Sequence, residues 1–217
     1  TNLICEKTRK KVVEKAIKNN LDVVIFDDGL QDGNINYDLK IVCFDLENWI
    51  GNGHLIPSGP LREKIDSLKK YDIVFLKSEC SNEEQIVKLI KDQNTEIKIF
   101  KTYYEVVNLN KFNFKNKYLI FSGIGNPNNF RNILIENNFN IADEIIFPDH
   151  YKYKQKDLDN IKLKAKKLNA KIITTEKDYV KLSKKDTDNI DFLEISLNIK
   201  NEEDLINFIS PIINEKY

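Results

Sequence analysis

The sequence predicts an α/β protein built of parallel sheets in two lobes, and three observations carry that expectation. Apolar runs alternate along the chain with segments of helical period, the pattern of strand–helix–strand units. The runs DVVIF, KIVCFD, YLIFSG, EIIF and KIITT are four to six residues long, the length of a buried strand and far short of a membrane span. The conformationally special residues are concentrated. All seven Gly, both His and four of the five Pro fall in four loop motifs: DDGLQDG, GNGHLIPSGPLRE, SGIGNP and FPDHYKY.

Taken in order, residues 7–19 place Val12, Val13, Ala16 and Ile17 at helical spacing. Residues 22–26 (DVVIF) read as a short buried strand ending in Asp27 and Asp28. Residues 40–45, 71–76 and 96–100 are three further strands. Ser81 and Glu84 form a capping box for a helix to about Asp92, with Ile86, Val87, Leu89 and Ile90 as its apolar stripe. Segment 102–116 is polar and lacks clear helical period, so the chain is divided into a first lobe over 1–104, a linker over 105–115 and a second, smaller lobe over 116–217. In that second lobe, strands are expected at 118–123, 144–147, 171–175 and 191–196. Asn128 is placed to cap a helix carrying Phe130, Ile133 and Leu134. Leu158, Ile161, Ala165 and Leu168 form a clean helical face, and Asn201 with Glu202, Glu203 and Asp204 opens a last helix, favoured by the macrodipole. DDGLQ, SGIGNP, DHY and TTEKD all follow strands, and in parallel sheets ligands sit outside the carboxyl ends of the strands.

Composition narrows the function classes. With 217 residues, 41% hydrophobic and 31% charged, the chain is globular rather than disordered. A formal net charge of +0 provides no global field to draw it to nucleic acid. The three Cys show no metal-ligand spacing; Cys43 is expected to be a small core residue, and the thiols reduced, in a cytosolic protein with no signal pattern at its start. The chain starts at Thr1 and contains no Met, which is expected of a portion of a longer protein.

Each motif has a chemical and a structural reading. VVIFDD is an apolar strand ending in two carboxylates, hard oxygen donors of the kind that meet a nucleotide's Mg²⁺, or else caps of the following turn. In GNGHLIPSGPLRE, Pro57 and Pro60 stiffen the loop. Arg62, an Arg kept in a Lys-rich chain, offers a bidentate fork for phosphate or carboxylate, with Glu63 to orient it; the plainer alternative is a surface ion pair. SGIGNP reads as a phosphate-cradling turn or simply as a tight turn opening a helix. Asp149 beside His150 reads as a proton- or charge-carrying pair or as loop structure. TTEKD offers Lys177 to an anion, or is a capped helix start with Glu176 and Asp178 in its first turn. The Lys-rich stretch 152–171 is a solvated helix face, or a surface for an anionic membrane.

DDGLQ, DLKIVCFD, GNGHLIPSGPLRE, FSGIGNP, FPDHYKY and TTEKDYVKL, in this order and spacing, resemble the tetraacyldisaccharide 4′-kinase family of lipid A biosynthesis over residues 8 to 182. The resemblance implies P-loop kinases of two α/β lobes at the cytoplasmic face of the inner membrane of Gram-negative bacteria. They transfer the γ-phosphate of ATP, with Mg²⁺, to the 4′-hydroxyl of a disaccharide-1-phosphate lipid precursor. Carried over by position, Asp27 and Asp28 correspond to the acidic pair near Mg²⁺-ATP, with Gln31 in the same loop. Asn52, Arg62 and Glu63 fall in the substrate- and phosphate-proximal loop. Asp149 and His150 match the family's DH pair, whose His is thought to assist the catalytic Asp. Two departures stand out. Asp32 occupies a position where the family usually has His, and no GxxxxGK[ST] occurs among these residues. The phosphate-binding loop, membrane-docking helix and catalytic-base Asp of the family precede the matched segment. The first lobe is therefore expected to be incomplete and the chain inactive alone. A non-catalytic lipid- or nucleotide-binding protein derived from the family, and a nucleotide-sugar enzyme on a similar scaffold, are the competing readings.

Overall fold

The computed structural model describes residues 3–77 and 82–214. The chain divides into two compact units, one of residues 1–103 and 198–217, the other of residues 104–197.

In the first unit, α1 (Arg9–Lys18) opens at Thr8, whose hydroxyl accepts the Lys11 N–H. A four-stranded sheet follows in the order β1 (Ile41–Asp45), β2 (Ile73–Lys77), β3 (Lys98–Val106) and β8 (Ile195–Ile199). β1, β2 and β3 run parallel, with Ile41 opposite Ile73 and Ile73 opposite Lys98. Successive side chains of a strand point to opposite faces, so β2 feeds two cores. Val74 and Leu76 pack with Ile86 and Ile90 of α2 (Glu83–Gln93), while Ile73 packs with Phe100 and with Leu205 of α6 (Glu202–Asn214).

The second unit is a four-stranded parallel sheet in the order β5 (Asn140–Ile146), β4 (Lys117–Ser122), β6 (Ala170–Thr175) and β7 (Ile190–Leu193). The central strand β4 reads YLIF because it is covered on both faces, and all four of these residues are at most 2% exposed. Tyr118 and Ile120 join a core with Phe130, Ile133 and Leu134 of α3 (Pro127–Glu136). Leu119 and Phe121 join another with Leu158, Ile161 and Ala165 of α4 (Gln155–Leu168). Burial of each Leu or Ile in such a face contributes about 1.5–3 kcal/mol. A short helix, α5 (Glu176–Tyr179), follows β6 directly. Because β4 leads to β5 on one side while β6, its neighbour on the other side, leads to β7, the strand order reverses between β4 and β6. This is the switch point at which open α/β sheets hold ligands.

Five expectations are corrected. Residues 22–26 form no strand: no described strand pairs with them, and Val23 is 52% and Ile25 90% exposed. Cys43 is exposed rather than buried, since it lies on β1, the edge strand of its sheet. Segment 105–115 is part of the second unit, its Val106 and Phe112 being 9% exposed in a core cluster, and β3 runs on to Val106. Residues from Asn198 onward group with the first unit, because the apolar face of α6 (Leu205, Phe208, Ile209) finds its cover on Ile73 and Phe100. The helix after SGIGNP is capped by Asn126, with Pro127 in its first turn, rather than by Asn128. The capping box expected at Ser81 lies outside the described residues.

Candidate active site

In the first unit two loops meet. Asp27 and Asp28 lie in a turn, both exposed, and Asp28 has a left-handed φ of 53°. Such backbone in a non-Gly residue is held by its surroundings. Here the Arg62 guanidinium, from the second loop, pairs with the Asp28 carboxylate, and Arg9 Nη2 donates to the Asp28 carbonyl at 2.6 Å. Two of the three Arg in the chain thus converge on DDGLQD, since Arg9 also pairs with Asp32 at 3.3 Å. Asp32 in turn accepts the Asn34 N–H at 3.0 Å, and the Asn34 backbone and side-chain amides with Arg9 hold its carboxyl below the usual range.

Glu63 does not hold Arg62. Its carboxylate accepts from Gln31 Nε2 at 3.1 Å and from the Tyr71 hydroxyl at 2.9 Å. Partial burial pushes its pKa up, but bonds from Tyr71, Gln31 and Ser67 outweigh this and leave it lowered. Burial, with Glu63 as acceptor, raises Tyr71 to about 12. Adjacent residues of one loop therefore reach two points of the DDGLQ motif: Arg62 takes Asp28 and Glu63 takes Gln31.

Asn52 braces the loop that carries them. Its Nδ2 donates to the Ser58 carbonyl at 2.8 Å and its Oδ1 accepts the His54 N–H at 3.1 Å. Gly59 is required there, because a methyl group would collide with the Asn52 side chain and the His54 carbonyl. On the outside of the loop, Leu55, Ile56, Pro57, Lys64 and Ile65 line an open cleft of about 680 Å³.

In the second unit three motifs converge at the carboxyl ends of β4, β5 and β6. Asp149 and His150 are exposed, and His150 has a left-handed φ of 58°. The His150 N–H is shared between Asp149 Oδ1 at 2.9 Å and the Gly123 carbonyl at 3.2 Å. Asp149 lies 3.7 Å from His150 Nε2 and 3.6 Å from Lys177 Nζ. A methyl on Gly125 would come within 3.3 Å of Asp149 Oδ2, so SGIGNP sits directly against the DH pair. SGIGNP opens α3, and TTEKD is a helix start capped by the Thr175 hydroxyl.

Sequence reasoning placed Asp178 in the first turn of that helix, where it lies. What the sequence did not show is that it is completely buried. Its carboxylate accepts from the Gly123 N–H at 2.8 Å, the Thr175 hydroxyl at 2.8 Å and the Lys181 ammonium at 2.7 Å. Burial pushes its pKa up, and the Gly123, Lys181 and Thr175 bonds overcome this to leave it lowered. The readable signal was Lys181, three residues on, in the turn that follows the helix.

Asp27 and Asp28 offer adjacent hard oxygen donors, which suits Mg²⁺, an ion held by one or two carboxylates while phosphates and water complete its shell. Among the described residues no group of three or more His, Cys, Asp or Glu is placed to hold a metal unaided. No described helix is long and apolar enough to cross a membrane.

The chain is similar to known proteins over most of its length. A tetraacyldisaccharide 4′-kinase of Pelagibacter ubique (strain HTCC1062) is 46% identical over 211 residues, covering 96% of this chain and 66% of that protein. One from Rickettsia africae (strain ESF-5) is 36% identical over 206 residues, covering 94% of this chain and 62% of that protein. The chain thus spans less than two thirds of the length of these relatives. A crystal structure of LpxK from Aquifex aeolicus in complex with ATP superposes with a TM-score of 0.59 at 23% identity, over 86% of this chain and 56% of that one, and shares its fold. The family model described as LpxK, Tetraacyldisaccharide-1-P 4'-kinase, matches residues 1–214, and the chain belongs to that family.

Proposed function

We propose that these residues serve, within a complete tetraacyldisaccharide 4′-kinase, the transfer of the ATP γ-phosphate to the 4′-hydroxyl of a tetraacyldisaccharide 1-phosphate in lipid A biosynthesis. The observation that carries the reading is the meeting of the two loops: Arg62 on Asp28 and Glu63 on Gln31 bring the acidic pair and the Pro-stiffened loop into one cluster. Family membership supports the reaction class.

In the reaction the 4′-hydroxyl oxygen bonds to the γ-phosphorus, the bond to the β–γ bridging oxygen breaks, ADP leaves and the hydroxyl proton passes to a base. Asp27 and Asp28 would hold Mg²⁺, which supplies charge neutralisation across the phosphates. Arg62 gives its second donor face to an anionic group of nucleotide or lipid, with Asp28 fixing its position. Glu63 fixes Gln31 and Tyr71, and Asn52 keeps the loop in register. Asp149 orients His150, which assists the proton transfer. The complete protein acts peripherally at the cytoplasmic face of the inner membrane, its substrate being a lipid. Phosphoryl transfer also needs backbone N–H groups and a Lys around the β- and γ-phosphates, and these 217 residues contain no GxxxxGK[ST], so the chain alone is expected to bind ATP weakly and not to turn over.

The test is a 4′-kinase assay with radiolabelled ATP on a complete enzyme. Asp27→Ala should lower kcat on the order of 10²-fold or more, as loss of a metal or electrostatic contribution does. Near wild-type turnover at saturating Mg²⁺ overturns the assignment. Micromolar ATP affinity of the isolated 217-residue chain, measured by calorimetry, would show that the nucleotide site is placed wrongly.

A further inference from the structure

The cluster at the β4–β6 switch point contains a group to which the proposed reaction assigns no role. Gly123 lies between two bonds of different kinds. Its N–H donates to the buried Asp178 carboxylate at 2.8 Å, and its carbonyl accepts the His150 N–H at 3.2 Å. One Cα therefore separates a fully buried charge from the exposed His150. A methyl on Gly123 would stand 3.0 Å from the Tyr153 hydroxyl, 3.2 Å from the Pro148 carbonyl and 3.2 Å from Tyr151 Cβ, so the loop on both sides of His150 is packed against Gly123 itself. Lys181 Nζ reaches both ends of this link, at 2.7 Å from Asp178 Oδ1 and 3.5 Å from the Gly123 carbonyl. Meanwhile His150 is held at a positive φ that an L-residue keeps only when its surroundings impose it.

We propose that Asp178 is a positioning residue for His150, acting through Gly123. The buried carboxylate, fixed by Thr175 and Lys181, sets the Gly123 backbone, and the Gly123 carbonyl with Asp149 sets the His150 N–H. The value of this positioning for phosphoryl transfer rests on the role given to His150 above, whereas the mechanical link does not.

The chain suits a direct test, since it has two His and seven Gly. Carbonyl labelling of Ser picks out the amides of its only two Ser–Gly steps, Ser58–Gly59 and Ser122–Gly123, and Ser58→Ala tells the two apart. In the chain labelled with ¹⁵N at His and Gly, Asp178→Asn should speed amide exchange at both Gly123 and His150 about 10-fold or more, the ratio expected for about 1.4 kcal/mol of lost protection. His54 and Gly59 should not move. A response at Gly123 with His150 unchanged overturns the proposal. If Asp178→Asn does not fold, Thr175→Val, which removes the hydroxyl that donates to the Asp178 carboxylate and caps α5 while keeping the carboxylate itself, replaces it: the His150 resonance shifts if the link exists and stays fixed if it does not. In the complete kinase, Asp178→Asn should lower kcat with KM for ATP unchanged, and the Asp178→Asn, His150→Asn double variant should be no slower than His150→Asn alone. Additive losses there overturn the link. An inactive kinase with coupled amides would instead refute the reaction assigned above and leave the link intact.

Discussion

Asp178 and Asp28 each pair with a cation, Lys181 and Arg62, yet the two pairs stand in different media. Asp178 is fully buried, Lys181 is mostly so, and the carboxylate also takes a backbone N–H and a hydroxyl. Asp28 and Arg62 have side chains 63% and 51% exposed, and among the described residues they are held by the pair itself and by the Arg9 contact to the backbone. In the second unit the loops bearing the DH pair are tied to a core covered on both faces. In the first unit the loops bearing the acidic pair adjoin a segment whose apolar side chains stand in water. The contrast teaches that the DH pair is tied to a fully buried charge, whereas the acidic pair, although Leu30, Trp49 and Ile65 anchor its loops on the first unit's core, is itself set by an exposed ion pair.

The largest effect that would break this comparison is on stability. Asp178→Ala leaves Lys181 and the Gly123 N–H without their partner in the interior, and removing one member of a buried, hydrogen-bonded pair costs about 3–5 kcal/mol. Denaturant unfolding of the second unit should show that loss. Acid should imitate it. Because the folded pKa of Asp178 lies below its unfolded value, the stabilisation is fully present above the ordinary carboxylate pKa of about 3.9 and is lost as pH falls through the folded value. Wild-type second-unit signals should therefore weaken below that pH while Asp178→Ala shows a shallower acid dependence. Equal slopes would mean that the carboxylate is not the group holding these loops.

How much of this was legible in the sequence follows the same division. The second unit was read nearly element by element, because strands buried on both faces appear as continuous apolar runs such as YLIF and IITT, and α4 as the Leu158, Ile161, Ala165 stripe. The first unit misled where apolar pattern and partner diverge. DVVIF has the composition of a buried strand, but a strand is defined by its neighbour, and none lies beside it among the described residues. The three-residue spacing from Asp178 to Lys181 was present in the letters, yet burial of a charge depends on what the switch point brings together, and β4 lies some fifty residues earlier. Likewise Arg62 and Glu63 looked like partners because they are adjacent, whereas in the folded loop they take different partners, Asp28 and Gln31.

A smaller effect sharpens the comparison from within the first unit. Gly59→Ala forces a methyl group into Asn52 and the His54 carbonyl, and strain of this kind costs about 1–3 kcal/mol. Asn52→Ala in the same background should recover part of the loss by vacating the space, a coupling readable in a double-mutant cycle. If the two substitutions simply add, the loop is not braced by Asn52, and its register comes from Pro57 and Pro60.

The smallest effect is the most discriminating. Arg62→Ala removes an ion pair with both side chains more than half exposed, and such pairs contribute only about 0–1 kcal/mol. Denaturation should therefore barely change, and what change there is should shrink between low salt and about 1 M, where the Debye length falls to about 3 Å. In a complete kinase the same position should be far more sensitive. Arg62→Lys keeps the charge but loses the planar fork, so it should lower activity at least 10-fold, about 1.4 kcal/mol of transition-state binding, while leaving unfolding unchanged. A residue that matters little to folding and much to turnover belongs to the chemistry. Were Arg62→Lys instead to unfold the first unit while sparing activity, the pairing of Arg62 with Asp28 would be scaffold, and the two units would be built alike.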